Sequence, residues 1–97
     1  MKTGHVQVQL QVMIIREADQ FVAYAPALDL CTSGSTLEEA QSNFEEIVDI
    51  FIEELIEHGT LNEVLLDLGW ERKDSNWIPP QIIAQSTQQF SMRLPIN

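Results

Sequence analysis

The segment spanning residues 21–46 constrains the fold more than any other part of the chain, because it combines signals for strands, a turn and a helix start. Residues 21–25 alternate at the period of a β-strand, and Pro26 then stops regular pairing. Residues 28–32 predict a second short strand. After it, the Thr-x-x-Glu capping box at 36–39 begins a helix. The predicted order is therefore strand, turn, strand and helix.

Ten positions of this segment form a spaced motif, and they are Tyr24, Pro26, Leu28, Cys31, Gly34, Thr36, Glu39, Ala40, Asn43 and Glu46. They spell an aromatic-x-alanine strand, a proline with a leucine two residues on, a cysteine, Gly-x-Thr, and a helix start of the form E-A-x-x-N-x-x-E. This combination resembles the HicB-like antitoxin family, and the motif covers about a quarter of the chain.

The resemblance implies a degenerate, partial ribonuclease H fold. It also implies an antitoxin of a type II toxin–antitoxin system, which binds and neutralises a small basic toxin (HicA-like) that cleaves messenger RNA. Many members of the family carry a C-terminal module for operator binding, whereas only one basic residue, Arg93, follows Lys73 in this chain. Because one arginine neutralises too few phosphates, we expect no direct nucleic acid binding by this chain alone.

Alternation also predicts a long first strand. From Val6 to Ile14 every second residue is apolar, and three glutamines lie between the first of them. The polar interval at 16–20 has the length of a turn, so we expect the next strand to return antiparallel as a hairpin. Together with the strand at 28–32, these strands predict a meander.

Helical spacing of apolar residues dominates residues 37–58. The apolar stripe includes Ile52 and Ile56, which widen it beyond what one sheet needs and leave open a contact with a neighbouring subunit. Gly59 is placed to cap this helix at its C-terminus. A second capping box at 60–63 predicts a short helix that follows directly.

Beyond Gly69, which is placed to end the short helix, the turn-forming cluster at 74–76 predicts a small hairpin. The prolines at 79–80 confine it to an edge position. Alternating apolar residues at 90–94 predict a last strand. The predicted fold class is α+β, with a small antiparallel three-stranded sheet, a long helix packed on one of its faces, a second short helix and a C-terminal hairpin or strand.

A length of 97 residues suits one small domain, and 44% of the residues are hydrophobic, as in ordinary globular proteins. We expect a single domain over residues 1–97, with a core at 4–69, a C-terminal extension at 70–97 and no separate DNA-binding domain. A domain of this size has little stability to spare, so we expect contacts in a homo-oligomer to contribute.

Acidic residues greatly outnumber basic ones. Fifteen against five give a formal net charge of −10, and the isoelectric point is about 4.3. This charge opposes binding to phosphate backbones and favours capture of a basic partner. Acidity also keeps a protein soluble, and the sequence leaves both interpretations open.

Cys31 is the only cysteine, so the chain forms no internal disulfide. Its apolar neighbours predict a small buried hydrophobic side chain rather than a nucleophile. The sequence shows neither a signal peptide nor an apolar run of membrane-spanning length. We therefore expect a cytoplasmic protein that does not bind membranes.

A ribonuclease H site needs convergent carboxylates that hold two metal ions. The first predicted strand offers glutamines instead, so only helix carboxylates and Asp29 remain, and we expect these to form a solvated acidic face. His5 and His58, the latter as a helix cap, have no cysteine or histidine at metal-ligand spacing. We expect no enzyme activity, no metal site and no cofactor.

We expect Glu45, Asp49 and Glu53 to bind a basic partner, because they project from one region of the long helix. Asn43 is expected to be a buried amide that bonds backbone groups of the nearby turn. The alternative function is an orphan HicB-like protein without a toxin. It would act as a homo-oligomeric scaffold or binding module whose subunits pair through exposed Ile52, Ile56 and the tail strand.

Overall fold

The computed structural model describes residue 4 and residues 6–96, and its elements follow the α+β order predicted from the sequence. The strands of the main sheet pair antiparallel in the order β1-β2-β3, and β4 pairs antiparallel with β5 in a separate sheet. The expectation for His5 lies outside the described residues. The elements are β1 (Met13–Glu17), β2 (Gln20–Ala25), β3 (Leu30–Gly34), α1 (Leu37–Glu57), α2 (Leu61–Asp67), β4 (Glu71–Lys73) and β5 (Asn76–Ile78).

The prediction of a long first strand from Val6 is wrong, because β1 begins only at Met13. Met13 pairs with Tyr24, and β2 ends one residue later, directly before Pro26. Residues 6–12 therefore have no partner in β2, whatever their alternation. Val6 is 74% exposed, whereas Leu10 packs against the apolar cluster around Trp70, so the alternation marks a buried face only in part. The hairpin itself is confirmed, since Glu17 pairs with Gln20 across a two-residue turn.

The meander is confirmed, but β3 begins at Leu30 rather than at Leu28. Residues 26–29 form a turn in which the Leu28 N–H donates to the Ala25 carbonyl at 3.2 Å. Asp29 ends this turn with a φ of 50°, a left-handed conformation that aspartate tolerates better than most residues. Leu28 consequently leaves the sheet and is buried in a second apolar cluster.

Helix α1 packs on one face of the main sheet, and small side chains let it approach closely. Ala23, Ala25 and Ala40 are completely buried there, together with Phe44. Gly34 marks the closest approach, because a Cβ atom at this position would lie 2.5 Å from the backbone nitrogen of Ala40. A glycine is therefore required for the contact between β3 and the first turn of α1.

The capping interactions of α1 follow the prediction in most respects. The Glu39 N–H donates to Thr36 Oγ1 at 3.0 Å. The Glu39 carboxylate accepts hydrogen bonds from the N–H and the hydroxyl of Ser35. In the predicted capping box it would accept from the N–H of Thr36, one residue later. At the other end His58 is the C-cap, and Gly59 follows with a φ of 67°.

Helix α2 forms as predicted, but its capping box is wrong. Thr60 makes no side-chain cap hydrogen bond, and its backbone N–H donates to the Leu55 carbonyl at the end of α1. This short helix is held by tertiary contact instead. Leu65 is buried with Trp70, whose Nε1–H donates to the Ala27 carbonyl at 2.7 Å. Gly69 has a φ of 95° and ends α2 as predicted.

The C-terminal hairpin is confirmed, whereas the last strand is wrong. Asp74 and Ser75 connect β4 to β5 and both have positive φ values, 52° and 79°, which suits a two-residue hairpin turn. Residues 79–96 contain no regular element, and Phe90 is 74% exposed. An alternating pattern forms a strand only beside a partner, and no strand of the described chain lies beside residues 90–94.

Candidate partner-binding surface

The outer side of α1 is rich in acidic residues. The helix contains eight acidic residues and no lysine or arginine. Glu45, Asp49 and Glu53 follow one another at intervals of four residues, and all three are exposed. Glu46 is also exposed and lies three and seven residues before the last two, on the same side. The three predicted binding residues therefore share one solvent-facing surface of one helix.

The opposite side of α1 fixes the orientation of this acidic surface. Ala40 and Phe44 are buried against the sheet, and Ile47 and Val48 pack beside them. Further along, Phe51 packs against the second apolar cluster. Because the 21-residue helix is anchored along several turns, its backbone fixes the positions from which the carboxylates project.

Two isoleucines of α1 that were expected to be exposed are half-buried. These are Ile52 and Ile56, and neither packs against a cluster of buried residues. Ile50 is instead the isoleucine of α1 that lies open, with 48% of its surface exposed. Around the helix axis, Ile50 lies between half-buried Ile47 and exposed Glu53. Helical spacing of apolar residues alone therefore does not separate Ile50 from the buried side.

Asn43 supports the fold rather than a binding site. Its Nδ2 donates to the Ser33 carbonyl at 2.9 Å, and the side chain is half-buried. The predicted backbone contact is confirmed, although the acceptor lies in β3 and not in a turn. This bond ties α1 to the edge of the sheet.

A polar corner beside the 26–29 turn was missed by the sequence analysis. The Tyr24 hydroxyl donates to Asp29 Oδ1 at 3.0 Å. This hydrogen bond, with desolvation and the negative charge of Asp29, raises the pKa of Tyr24 above its ordinary value. The positive φ of Asp29 carries the chain round to face β2, and no pattern in the sequence marks that turn geometry.

The expectation that Cys31 is buried is wrong, because its side chain is exposed. Cys31 pairs with Tyr24, whereas its neighbours Leu30 and Thr32 pair with the buried residues Ala25 and Ala23. Side chains alternate across a strand, so Cys31 lies on the sheet face away from α1. The alternation predicted for residues 28–32 already places Cys31 on the face opposite Leu30 and Thr32, so the sequence contained the signal for its exposure.

Within residues 4 and 6–96, no three histidine, cysteine, aspartate or glutamate side chains lie close enough together to hold a metal ion. No helix in this part of the chain has both the length and the apolar character needed to cross a membrane. No family model matches the chain, and neither a curated protein nor a solved structure matches it.

Proposed function

We propose that the chain is an antitoxin-type interaction protein of the HicB-like kind, which neutralises a small basic toxin that cleaves messenger RNA. The acidic side of α1 is the docking face, and Glu45, Asp49 and Glu53 are its central residues. The supporting observation is that α1 presents eight carboxylates without one basic residue while its opposite side is anchored to the core. The protein acts in the cytoplasm, where its single exposed thiol stays reduced.

The physical role of the acidic side is to attract and orient the partner. A surface of one charge sign raises the rate of encounter with an oppositely charged protein and disfavours other partners. The same charge repels messenger RNA, so the antitoxin does not compete with its toxin for substrate. Because the carboxylates are exposed, salt weakens their attraction for a basic partner. At 0.1 M ionic strength, charges separated by more than about 10 Å are largely screened from each other.

The experiment compares two triple charge reversals of the full chain. The test variant is Glu45→Lys, Asp49→Lys and Glu53→Lys. The control variant is Glu63→Lys, Asp67→Lys and Glu71→Lys, which changes net charge equally at exposed positions outside α1. Each is used to capture basic proteins at low salt from the cells that make this chain, and captured proteins are assayed for cleavage of messenger RNA with and without the chain.

We expect the wild-type chain and the control variant to capture one small basic ribonuclease and to inhibit it. The test variant should bind it at least about tenfold more weakly, which corresponds to ~1.4 kcal/mol. An equal loss of affinity for the ribonuclease in both triple variants would show that only net charge matters and that α1 is not the docking face. A captured protein without ribonuclease activity would contradict the toxin assignment.

The second candidate is the orphan homo-oligomeric scaffold, and one observation favours it. The tail side chains Phe90, Met92 and Leu94 are 74%, 70% and 64% exposed, which is unusual for an isolated soluble chain. Recovery of a homo-oligomer with no basic partner would select this function.

A further inference from the structure

Charge and exposed apolar surface are divided between different parts of the chain. All fifteen acidic residues lie between Glu17 and Asp74, and residues 1–16 and 75–97 contain none. The same acid-free parts carry ten of the thirteen large hydrophobic side chains that are exposed in the described chain. Two copies would repel each other through their acidic parts, whereas their acid-free parts are free of this repulsion.

Residues 13–16 of β1 lie in the acid-free parts of the chain and Glu17 ends the strand. The outer edge of β1 has no strand partner in the described chain. The Gln11 side-chain amide donates to the Ile82 carbonyl at 3.3 Å and accepts from the Ile82 N–H. Side-chain contacts, and not strand pairing, therefore connect residues 82–85 of the same chain with this edge, and Gln85 Nε2 lies 3.2 Å from Met13 Sδ. An open groove of about 710 Å³ lies here, lined by residues 11–15 on one side and 82–85 on the other. Unpaired backbone groups of such an edge are a template for an added strand.

The stretch of residues 90–94 has the pattern of a strand without a partner. In an extended strand, the alternation would place Phe90, Met92 and Leu94 on one side and Ser91 and Arg93 on the other. The molecule measures 60 × 27 × 22 Å, although α1 accounts for only about 31 Å of length. Its radius of gyration is 16.8 Å, against about 12–13 Å for a compact domain of this length. Chain outside the core therefore extends away from the body.

We propose that two copies of this chain form a symmetric dimer in which residues 90–94 of each copy add as a fourth strand to the outer edge of β1 in the other. Backbone hydrogen bonds to β1 provide the pairing, and the apolar side chains cover exposed Ile15 on the sheet face away from α1. Each copy gives one strand and receives one, so the assembly closes as a dimer. The inference is independent of the toxin partner, because the acidic side of α1 takes no part in it.

The first test measures the oligomeric state of the full chain by sedimentation at several protein and salt concentrations. The disrupting variant is Phe90→Asp with Met92→Asp. The matched control is Gln89→Asp with Ser91→Asp, which adds the same charge on the alternating polar side. We expect wild type and control to dimerise and the disrupting variant to dimerise at least tenfold more weakly. A monomeric wild type at millimolar concentration, or equal weakening in both variants, would overturn the proposal.

The second test locates the contact by amide hydrogen exchange at low and high protein concentration. Exchange within Met13–Glu17 and within residues 90–94 should slow as the dimer forms, while α1 stays unchanged. Protection of residues 90–94 that does not depend on protein concentration would mean that the segment docks on its own chain. That result would refute the swap of strands between two copies. A dimer that protects α1 around Ile50 instead would also refute it.

Discussion

Single residues with no functional chemistry decide how closely the helix and sheet of this protein meet. Gly34 lies where β3 passes under the first turn of α1, and the neighbouring positions are occupied by Ala23, Ala25 and Ala40. Larger side chains would force α1 away from the sheet and rotate its acidic side. The geometry of the proposed docking face therefore depends on these small residues.

Gly34→Ala should lower the free energy of unfolding by about 1–3 kcal/mol, the usual cost of overpacking. The added Cβ would lie 2.5 Å from the Ala40 nitrogen and 2.9 Å from the Glu39 carbonyl carbon, both of them backbone atoms that cannot rotate away. The control is Gly4→Ala, where nothing lies within 4 Å. Urea denaturation measures both. Equal stability of the two variants would contradict the close contact.

Thr36→Ala should destabilise the protein by about 1 kcal/mol, because it removes the acceptor of the Glu39 N–H. The matched control is Thr60→Ala, since Thr60 occupies the N-cap of α2 without a side-chain cap hydrogen bond. We expect thermal denaturation to show a clear loss for the first variant and little change for the second. Similar losses would mean that the two caps are equivalent after all.

Tyr24 is the only tyrosine of the chain, so its ionisation can be followed directly by ultraviolet absorbance. Its pKa should lie above the ordinary value of 10.0, chiefly because its hydroxyl donates to Asp29. Asp29→Asn should lower it, since asparagine removes the charge yet tolerates the φ of 50°. Asp74→Asn, at another aspartate with positive φ, is the control and should leave the Tyr24 pKa unchanged.

The sign of the linked stability follows from the raised pKa of Tyr24. The folded protein holds the phenol proton more tightly than the unfolded chain does, so the interaction stabilises the fold fully below pH 10.0. This contribution is lost as the pH rises through the folded pKa. A wild-type titration at or below the ordinary value would show that the hydrogen bond to Asp29 does not persist in solution.

At the scale of elements, local signals predicted what forms but not always what it pairs with. The β1–β2 hairpin, α1, and the β4–β5 hairpin each have their turn or cap within a few residues, and each was predicted. The Val6 stretch and residues 90–94 alternate just as clearly, but neither has a strand partner in the described chain. The alternation of apolar residues indicates which face of a sheet a side chain would occupy. It does not indicate whether a neighbouring strand is long enough to pair with the segment.

The candidate site shows the same division. The exposed acidic row of α1 was predictable, because helical spacing alone places Glu45, Asp49 and Glu53 on one side. The exposure of Cys31 followed from the alternation but was missed, and the Tyr24–Asp29 contact was not predictable, because it depends on where β3 starts. That start is set by the turn at 26–29 and the left-handed Asp29, a choice among turn types that the sequence does not mark.

Trp70 joins elements that are far apart in sequence, so its replacement tests how α2 is held. Trp70→Phe removes the donor to the Ala27 carbonyl and should cost about 1–3 kcal/mol, because that buried acceptor loses its partner. The control is Trp77→Phe, at a half-buried ring that lies 5.4 Å from the Arg72 guanidinium. The free energy of unfolding should fall less for Trp77→Phe, by about 0.5–1 kcal/mol. A larger loss at Trp77 than at Trp70 would contradict this account.

At the scale of the whole molecule, the separation of charge from apolar surface predicts opposite responses to salt. Self-association through residues 90–94 and β1 should strengthen as salt screens the repulsion between acidic bodies. Binding of a basic partner to α1 should weaken over the same range. Sedimentation of the chain from low to high sodium chloride, alone and with the captured partner, measures both. Two responses of the same sign would show that a single surface serves both contacts.

The most direct test of the central claim is native mass spectrometry of the chain purified at low salt from the cells that make it. We predict a stoichiometric complex with a small basic protein, released when the sodium chloride concentration is raised. Recovery of the chain alone or only with itself at every salt concentration would contradict the antitoxin proposal, and the acidic side of α1 would then have no partner to explain it.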